Sequence, residues 1–515
     1  MPSRAIHTKP NGMKYVYEVT SYWDKEKKAP RNKQVCIGRL DEATGAVVPT
    51  QRKKHPQSVN KTKTITSKSL VVGTYAVLNR TATDIGLSDI LKECFPTDYL
   101  QILSLAFFLV QKGLPLSRCE TWSILHKHPA GSQMQSQRVS ELLHRISDNN
   151  QREFFKAWMH HLNEKECFYY DITSVSSYSE QNEYVRYGHN RDNEKLPQIN
   201  IGMIYGHQSG LPGYFRRLPG NIPDVSTLET TIKSLNFIEQ TKLTFIMDRG
   251  FYKTENVDAL MNSGYHFILM CPKRKWTEAL YEKYAHEIVS SKNRHAMSEN
   301  EVLYMLTAKH EWCGKRCYAH IYYNHLMAAT ELDDFMFKLT LWQDELLTGK
   351  EKHENAWAYE KYFIVKDMPK RGRKVIENAE AVEKAKKKFM GFFCLLTRRK
   401  LDAITAIEAY RSKEAVENCF DDLKNMLDMK RLRIQSSQAM DARLFIQFIA
   451  LILLSKVRQI KNRHSQLKHL TVREIMEYME TIVEVNTSNK RTAIITEAGP
   501  LQRTIMEHFG ARNYI

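Results

Sequence analysis

The chain has 515 residues, and its 76 Lys and Arg side chains outnumber 58 Asp and Glu, giving a formal net charge of +18. A hydrophobic content of 42% is too high for a disordered chain, and the length suggests about two to four structural units. The start shows no secretory signal, and the longest apolar runs are shorter than the roughly 20 residues that span a bilayer. Nine scattered cysteines predict reduced thiols and a cytoplasmic location with no membrane partner. Secreted, membrane-spanning and disordered classes are disfavoured.

The positive charge is concentrated in three segments. Residues 1–70 hold 15 Lys and Arg against five Asp and Glu, so they carry +10 of the total. Further basic runs occupy 366–388 and 456–464. Each run alone is typical of a solvated surface, but three of them in one basic chain favour contacts with nucleic-acid phosphates. Such contacts give affinity rather than sequence specificity.

The first 165 residues predict a β-hairpin, a linker and a helical region. Alternating runs at 13–23 and 33–40 flank the polar segment DKEKKAPRN, which is typical of a hairpin. Residues 50–68 are polar and rich in breakers, which indicates a linker. From about 71 to 165 the apolar residues recur with helical spacing, with room for a helix-turn-helix.

Residues 166–275 change from a helical to a strand-like pattern. Strands are predicted at 166–176, 198–206 and 213–220. A helix then begins near Asp224, with Asp224 or Ser226 as its N-cap. An apolar strand ends at Asp248, and another helix and strand follow. Three strands in hairpin sequence, followed by alternating helices and strands, predict an α/β fold with a mixed sheet covered by helices.

The rest of the chain predicts an interruption and then helices. Residues 276–390 are less regular and contain paired strand-like runs, which indicates a β-rich block. A strand at 391–400 leads into one long helix over 401–427, and an apolar helix and a helical tail follow. The predicted domain boundaries are 1–70, 71–165, 166–275, 276–390, 391–465 and 466–515.

Two carboxylates occupy notable positions on the predicted strands. Asp171 lies within an apolar strand, and Asp248 ends another strand directly before Arg-Gly-Phe-Tyr. A carboxylate in an apolar strand is costly unless it is paired or binds a metal ion. Strand-end aspartates are also common as simple turn formers, so each position alone supports both interpretations.

Four polar residues form one stripe of the predicted long helix, at the margin of its buried face. They are Tyr410, Lys413, Glu417 and Lys424, spaced three, four and seven residues apart. An ordinary ladder of Lys–Glu pairs is one explanation. The other is a site in which Glu417 joins the two strand carboxylates to hold two divalent ions, for which hard oxygen ligands favour Mg²⁺ or Mn²⁺. The lysines then contact phosphates, and Tyr410 orients a phosphate or stacks on a base.

These motifs together resemble the DDE transposases of bacterial insertion sequences, and more narrowly the group with a Tyr-Arg-Glu-Lys signature. The resemblance covers roughly residues 70–460. The matching motifs are YYDITS at 169–174, LPGNIPD at 218–224, IMDRGFY at 246–252 and YRSKEAVENCFDDLK at 410–424. The resemblance implies an RNase H-like mixed-sheet core with a β-rich insertion before the glutamate. The 169 positions between Asp248 and Glu417 leave space for that insertion.

The resemblance also implies roles for individual residues. Asp171, Asp248 and Glu417 become the catalytic ligands of two ions, Mg²⁺ or Mn²⁺. Tyr410, Lys413, Lys424 and Arg249 become contacts to DNA. The N-terminal regions are expected to bind terminal inverted repeats, and the chain to act as a homodimer in a synaptic complex at the bacterial nucleoid.

One residue departs from the signature. Lys413 stands where the signature has Arg. Lys keeps the charge but cannot make the planar bidentate phosphate contact of Arg. We therefore expect retained activity with altered phosphate geometry.

Several alternatives stay open on these residues. The leading hypothesis is cleavage at transposon ends followed by strand transfer into target DNA, and the alternatives are a nuclease without strand transfer and a catalytically inactive DNA-binding relic. The sequence is compatible with end processing through a hairpin or by another route. It is also compatible with cut-and-paste and with replicative transposition. Separately, His310, Cys313, Cys317 and His320 have the ligand types of a zinc site, but a β-hairpin that turns at Cys-Gly-Lys-Arg-Cys explains the spacing as well.

Overall fold

The computed structural model describes residues 3–50, 67–162, 168–179, 182–192, 194–222, 228, 231, 244–368, 372–386, 389–487 and 492–512. The chain divides into two compact units, residues 1–66 and 67–515. The predicted helix from Asp224, including its N-cap Asp224 or Ser226, and most of the predicted linker lie outside the described residues.

The first unit is an antiparallel sheet in the order β1-β2-β3-β4. Its strands are β1 (Ser3–Thr8), β2 (Lys14–Asp24), β3 (Ala29–Leu40) and β4 (Val47–Val48). The predicted hairpin corresponds to β2 and β3, which are joined by a turn in which Lys28 has a φ of 45°. Val16 is buried, whereas Trp23 and Tyr22 are exposed.

The second unit begins with a short strand and a set of helices. They are β5 (Ser67–Val71), α1 (Gly73–Asp84), α2 (Leu87–Cys94), α3 (Tyr99–Lys112), α4 (Cys119–Leu125), α5 (Ser136–Arg145) and α6 (Asp148–Leu162). Helix α3 is almost entirely apolar from 102 to 110, and these residues are buried. Among the described residues no single helix is long and apolar enough to cross a membrane, while the pair Tyr99–Lys112 and Leu116–Leu125 passes only by combined length and composition and bends by 95°.

A ten-stranded mixed sheet forms the centre of this unit, and its main path runs β11-β12-β13-β16-β10-β9-β6-β7-β8. The first of these strands in the chain are β6 (Phe168–Ser177), β7 (Gln198–Gly206), β8 (Pro212–Pro219), β9 (Thr244–Met247) and β10 (His266–Cys271). Strands β6, β7 and β8 are antiparallel neighbours, while β9 is parallel to both β6 and β10. The predicted α/β class with a mixed sheet is confirmed.

The interval predicted as a β-rich insertion contains helices as well as strands. Helix α7 (Thr254–Ser263) precedes this interval. The elements of the interval are α8 (Lys275–Ile288), β11 (Arg294–Ser298), β12 (Glu301–Trp312), β13 (Lys315–Tyr323), α9 (His325–Thr348), α10 (Ala356–Tyr362), β14 (Phe363–Met368), β15 (Gly372–Glu377) and α11 (Ala379–Lys386). Strands β11 to β13 extend the central sheet, and β14 and β15 form a separate hairpin. Helix α9 escaped prediction because only Leu339, Trp342 and Leu346 along its length are buried, so it lacks a continuous apolar stripe.

The C-terminal third returns to the central sheet and then to helices. It comprises β16 (Phe392–Thr397), α12 (Ala403–Arg411), α13 (Glu414–Asn425), β17 (Arg431–Leu432), α14 (Ser437–Arg463), α15 (Val472–Glu480), β18 (Val483–Thr487), β19 (Ile494–Ile495) and α16 (Pro500–His508). Residues 444–455 of α14 are all buried, and this helix packs against α3, α13 and β8. Strand β18 pairs with β5 and β19 in a small separate sheet.

The prediction of a single long helix over 401–427 is wrong, because the chain forms two helices there. Helix α12 ends at Arg411, and α13 begins at Glu414. At the break the backbone N–H of Lys413 donates to the carbonyl of Tyr410 at 3.3 Å, and that of Val416 to Lys413 at 2.9 Å. These bonds span three residues, as in a 3₁₀ turn, so the side chains of Tyr410 and Glu417 do not follow one continuous helical stripe.

A buried ion pair joins α13 to α14. The Asp422 side chain is only 3% exposed and bonds to Arg458, which is 35% exposed. Burial raises the pKa of Asp422 to about 6, although the charge and hydrogen bond of Arg458 act in the opposite direction. The folded protein therefore binds more protons at this carboxyl than the unfolded chain between about pH 4 and 6, and its contribution to stability falls as pH rises through that window.

Replacing Arg458 by Gln is expected to destabilise the fold, because it leaves a buried carboxylate without its cation. We expect a loss of about 2 kcal/mol near neutral pH, at the low end for buried pairs since Arg458 is partly solvated. The loss should shrink below about pH 5, where Asp422 takes up a proton. Urea unfolding at both pH values measures this, with Arg503→Gln, at an exposed position of α16, as the control. An equal loss at both pH values would contradict the assignment.

Candidate active site

Strand pairing brings two of the predicted carboxylates side by side. Asp171 is the fourth residue of β6, and Asp248 directly follows β9. The parallel register pairs Phe168 with Phe245 and Tyr169 with Ile246. Extended by two residues, the same register sets Asp171 beside Asp248. The two aspartates therefore meet because β6 and β9 are neighbours, although 77 positions separate them in the chain.

Residues at the break between α12 and α13 connect the third carboxylate, Glu417, to Asp248. The Lys413 ammonium lies 3.1 Å from Oδ2 of Asp248 and 3.0 Å from Oε1 of Glu417. The Tyr410 hydroxyl donates to Oδ1 of Asp248 at 2.7 Å. The backbone N–H of Arg249 donates to the same oxygen at 2.8 Å. Asp248 and Glu417 thus share one cation, and Asp248 is held by three donors.

Asp171 is the most buried member of the group. Its side chain is 16% exposed, accepts a hydrogen bond from the backbone N–H of Ile172 at 2.8 Å and lies 3.6 Å from Nη1 of Arg191. Burial raises the pKa of Asp171, against the opposing charges of Arg191 and Lys413, and the negative charge of Asp248 raises it further. The charges of Asp171, Asp248 and Lys413 therefore act on one another within a single site.

The protonation states follow from the contacts. Desolvation raises the pKa of Asp248, but the hydrogen bonds from Tyr410 and Arg249 and the charge of Lys413 outweigh it, so the net pKa is lowered. Desolvation likewise lowers the pKa of Lys413, but Glu417 and Asp248 outweigh it and raise the net value. Burial and the bond to Asp248 raise the pKa of Tyr410. Near neutral pH Asp248 is thus ionised, Lys413 is charged and Tyr410 is neutral.

The site is open to solvent on one side. The side chains of Asp248 and Glu417 are 46% and 53% exposed, whereas Lys413 is 20% exposed. A cavity of about 690 Å³ adjoins Asp248 and Tyr410 and is lined on its far side by aromatic residues including Tyr281 and Phe392. As far as the described residues show, a polymeric substrate can therefore approach Asp248 and Glu417 without displacing a covering element.

The remaining predicted DNA contacts have different environments. Arg249 is exposed and lines the cavity beside Asp248. Lys424 is instead bound to both carboxylate oxygens of Asp192, at 2.8 Å each. Its side chain is 12% exposed. Arg411, two residues before Lys413, forms an ion pair with Glu301.

Sequence reasoning missed the loop that follows β6. Arg191 approaches Asp171, Asp192 binds Lys424, and Glu194 binds Arg431 at 2.7 Å. The polar run HNRDNEK at 189–195 was the available signal. The spacing of this run matched no motif. In addition, Asp192 and Glu194 bind Lys424 and Arg431, which lie more than 200 positions further along the chain.

The donor chemistry of the site fits a divalent cation. Asp248 and Glu417 already face one positive group, the Lys413 ammonium, and carboxylate oxygens are the ligands that Mg²⁺ and Mn²⁺ prefer. Among the residues that the structure describes, no three Asp, Glu, His or Cys side chains are grouped as metal ligands. Asp248 and Glu417 are therefore the pair of carboxylates that suits a divalent cation, while Asp171 lies beside Asp248 in the sheet and forms an ion pair with Arg191.

The alternative zinc set does not converge. Residues 310–320 form the hairpin of β12 and β13, with Cys313 in its turn at a φ of 47°. The Cys313 thiol donates to Asp258, and the buried His320 ring bonds to Thr307 and Thr397. His310 stacks on Trp276 with ring centroids 4.8 Å apart. The hairpin interpretation accounts for this spacing.

Comparison with known proteins defines the class. The family model described as a transposase DDE domain matches residues 163–453, which is more than half of the chain. The chain therefore belongs to the DDE transposase family, and it is an enzyme of that class.

Other comparisons add little. No curated protein sequence matches the chain significantly. A solved structure, the cryo-EM structure of a piggyBac transposase synaptic complex with hairpin DNA, is similar at a TM-score of 0.37 and 10% identity, covering 79% of this chain and 76% of that one. A similarity of that size does not by itself assign a reaction or a partner to this chain.

Proposed function

We propose that this transposase cleaves DNA at the ends of a mobile element and joins those ends to target DNA, using Asp171, Asp248 and Glu417. The observation that carries the proposal is the bridge from Asp248 through Lys413 to Glu417, where the register of β6 and β9 sets Asp171 beside Asp248. A lysine ladder on a solvated helix would not reach a strand carboxylate. The family membership supplies the class of reaction.

The strand order supports an RNase H-like core. Three antiparallel strands, β8, β7 and β6, are followed by β9 and β10, which run parallel to β6. Asp171 lies on the first strand of this set in the chain, Asp248 follows the fourth, and Glu417 lies on a later helix. The sequence resemblance implies this arrangement, in which Asp171, Asp248 and Glu417 are the metal ligands of an RNase H-like core.

Asp171, Asp248 and Glu417 would hold the divalent ions, Mg²⁺ or Mn²⁺. When bound, a pair of such ions activates an attacking water or hydroxyl and stabilises the leaving oxygen of a phosphodiester. The neutral Tyr410 hydroxyl orients the Asp248 carboxylate. When other cations neutralise Asp248 and Glu417, the Lys413 ammonium is available to contact the substrate phosphate.

The proposed reaction has two steps. In the first, a water oxygen attacks the phosphorus at the element end, the bond to the 3′-oxygen breaks, and a 3′-hydroxyl is released. In the second, that hydroxyl attacks a target phosphodiester, and the displaced target 3′-oxygen takes up a proton. One phosphodiester replaces another in the second step, so the reaction consumes no nucleotide cofactor. Two ends must be joined together, which favours a homodimer that acts on chromosomal DNA in the cytoplasm.

Strand joining tests this proposal. The purified full-length protein is incubated with Mg²⁺, a supercoiled plasmid and pre-cut fragments that carry the sequences flanking its gene. We expect fragments joined to the plasmid through their 3′ ends, and none with fragments of equal length from inside the gene. Cleavage of uncut ends without joining would indicate a nuclease. Binding without cleavage would indicate a relic.

A further inference from the structure

A basic groove lies in the second unit, away from the carboxylates. It has a volume of about 870 Å³ and lies between the turn before α4, helix α5 and the segment that follows α13. Its lining carries five cations against one carboxylate, Asp428. The cations are Arg118, Lys430, Arg431, Arg433 and Arg443. No part of the predicted site lines this groove.

The cations divide into anchored and available groups. Arg443 binds Asp428 at 2.6 Å, and Arg431 binds Glu194. Arg118, Lys430 and Arg433 are exposed, and none of them forms an ion pair with another residue in the described ranges. The anchored pair fixes the backbone of the segment, while Arg118 and Lys430 face solvent and the exposed Arg433 lies over the Tyr178 ring, 5.3 Å from its centroid. Exposed cations that no carboxylate neutralises are suited to bind an anion.

The chemistry of the walls favours phosphates over bases. Ser117, Ser136 and Ser140 present hydroxyl groups from the helical side, together with Arg118 and across from Lys430 and Arg433. Hydroxyls and cations are the common donors to phosphate oxygens. Within the described part of the chain, no aromatic side chain lines the groove, and the nearby Tyr178 ring already contacts the guanidinium groups of Arg431 and Arg433, 5.9 and 5.3 Å from its centroid. The groove itself therefore offers no platform on which bases could stack.

Strand pairing sets the distance from this groove to the active site. Arg431 and Leu432 form β17, which pairs in parallel with Ser176 and Ser177 of β6. Asp171 lies on the same strand, five residues before Ser176, which corresponds to about 16 Å at 3.3 Å per residue. At 3.4 Å per nucleotide along a duplex strand, that distance spans about five nucleotides.

We propose that this groove binds the sugar-phosphate backbone of duplex DNA about five nucleotides from the phosphate that reacts at Asp171, Asp248 and Glu417. The inference rests on the proposed function for the position of the reacting phosphate. Arg118 and the serines contact the backbone from the helical side, and Lys430 and Arg433 from the core side. The groove contributes affinity and register, and no base readout.

The salt dependence of DNA binding tests the groove without relying on catalysis. The triple variant Arg118→Gln, Lys430→Gln, Arg433→Gln is compared with Lys92→Gln, Lys338→Gln, Arg473→Gln, which removes three exposed cations elsewhere. The probe is a random-sequence duplex, titrated between about 50 and 200 mM salt. We expect the groove variant alone to bind about 10-fold more weakly, with a log–log salt slope that is shallower by about 2.7.

A second measurement places the contact. Phosphate ethylation interference on an end fragment should lose its signal about five nucleotides from the cleavage position in the groove variant, and only there. Restoring charge with Arg118→Lys and Arg433→Lys, while leaving Lys430 intact, should restore the slope, which separates a binding role from a folding defect. A slope equal to that of the control variant would overturn the proposal. If the groove variant shows the expected change in salt slope but the parent protein never cleaves DNA, the proposed function would be overturned and the groove proposal would stand.

Discussion

Asp171→Asn, Asp248→Asn and Glu417→Gln are each expected to lower the rate of Mg²⁺-dependent DNA cleavage by about 1,000-fold, or ~4 kcal/mol of activation free energy. Each change removes a charged oxygen ligand while keeping the shape of the side chain. Asp248 should be the most sensitive, because it also orders Tyr410 and Lys413. Gel assays of nicking at element ends measure the effect under saturating enzyme.

The matched control for Glu417→Gln is Glu414→Gln. Glu414 is exposed and lies in the same first turn of α13, three residues earlier. It should keep full activity, and all four variants should bind duplex DNA as the parent does. Cleavage that survives Glu417→Gln would remove the helix carboxylate from the site. Loss of DNA binding with unchanged nicking would assign these acids to binding.

Lys413→Met is expected to separate metal binding from catalysis. Without the ammonium, Asp248 and Glu417 lose the cation that they share, so Mn²⁺ should bind about 10-fold more tightly in the absence of DNA. Cleavage should nevertheless fall, by about 100-fold, because the cation for the substrate phosphate is gone. Calorimetry or Mn²⁺ electron paramagnetic resonance measures the first effect, and the nicking assay measures the second.

Lys413→Arg is the control that keeps the charge. It should leave Mn²⁺ affinity close to that of the parent, and it restores the residue type of the Tyr-Arg-Glu-Lys signature with its bidentate geometry. Unchanged Mn²⁺ affinity in Lys413→Met would show that the ammonium does not compete for the carboxylates. Unchanged cleavage would exclude Lys413 from contact with the reacting phosphate.

Several features of the fold and site could be predicted because their signals are local. The apolar runs that became β6, β7, β9 and β10 are visible in sequence, and so are the carboxylates at 171, 248 and 417. The helix break at Ser412 and Lys413 was not visible, because both residues are compatible with a helix interior. Helix α9 was missed since most of its surface remains exposed.

The sequence by itself determined the candidate residues and the resemblance to DDE transposases, because Asp171, Asp248 and the spacing of Tyr410, Lys413, Glu417 and Lys424 need no partners to be recognised. Only the tertiary structure decided which charges meet. Lys413 binds Asp248 and Glu417, whereas Lys424, which shares the same spacing pattern, binds Asp192 in a loop 232 positions away. The physical reason is that side-chain periodicity describes one element, while an ion pair depends on the register of β6 against β9 and on how α13 packs against β6 and α12 against β9.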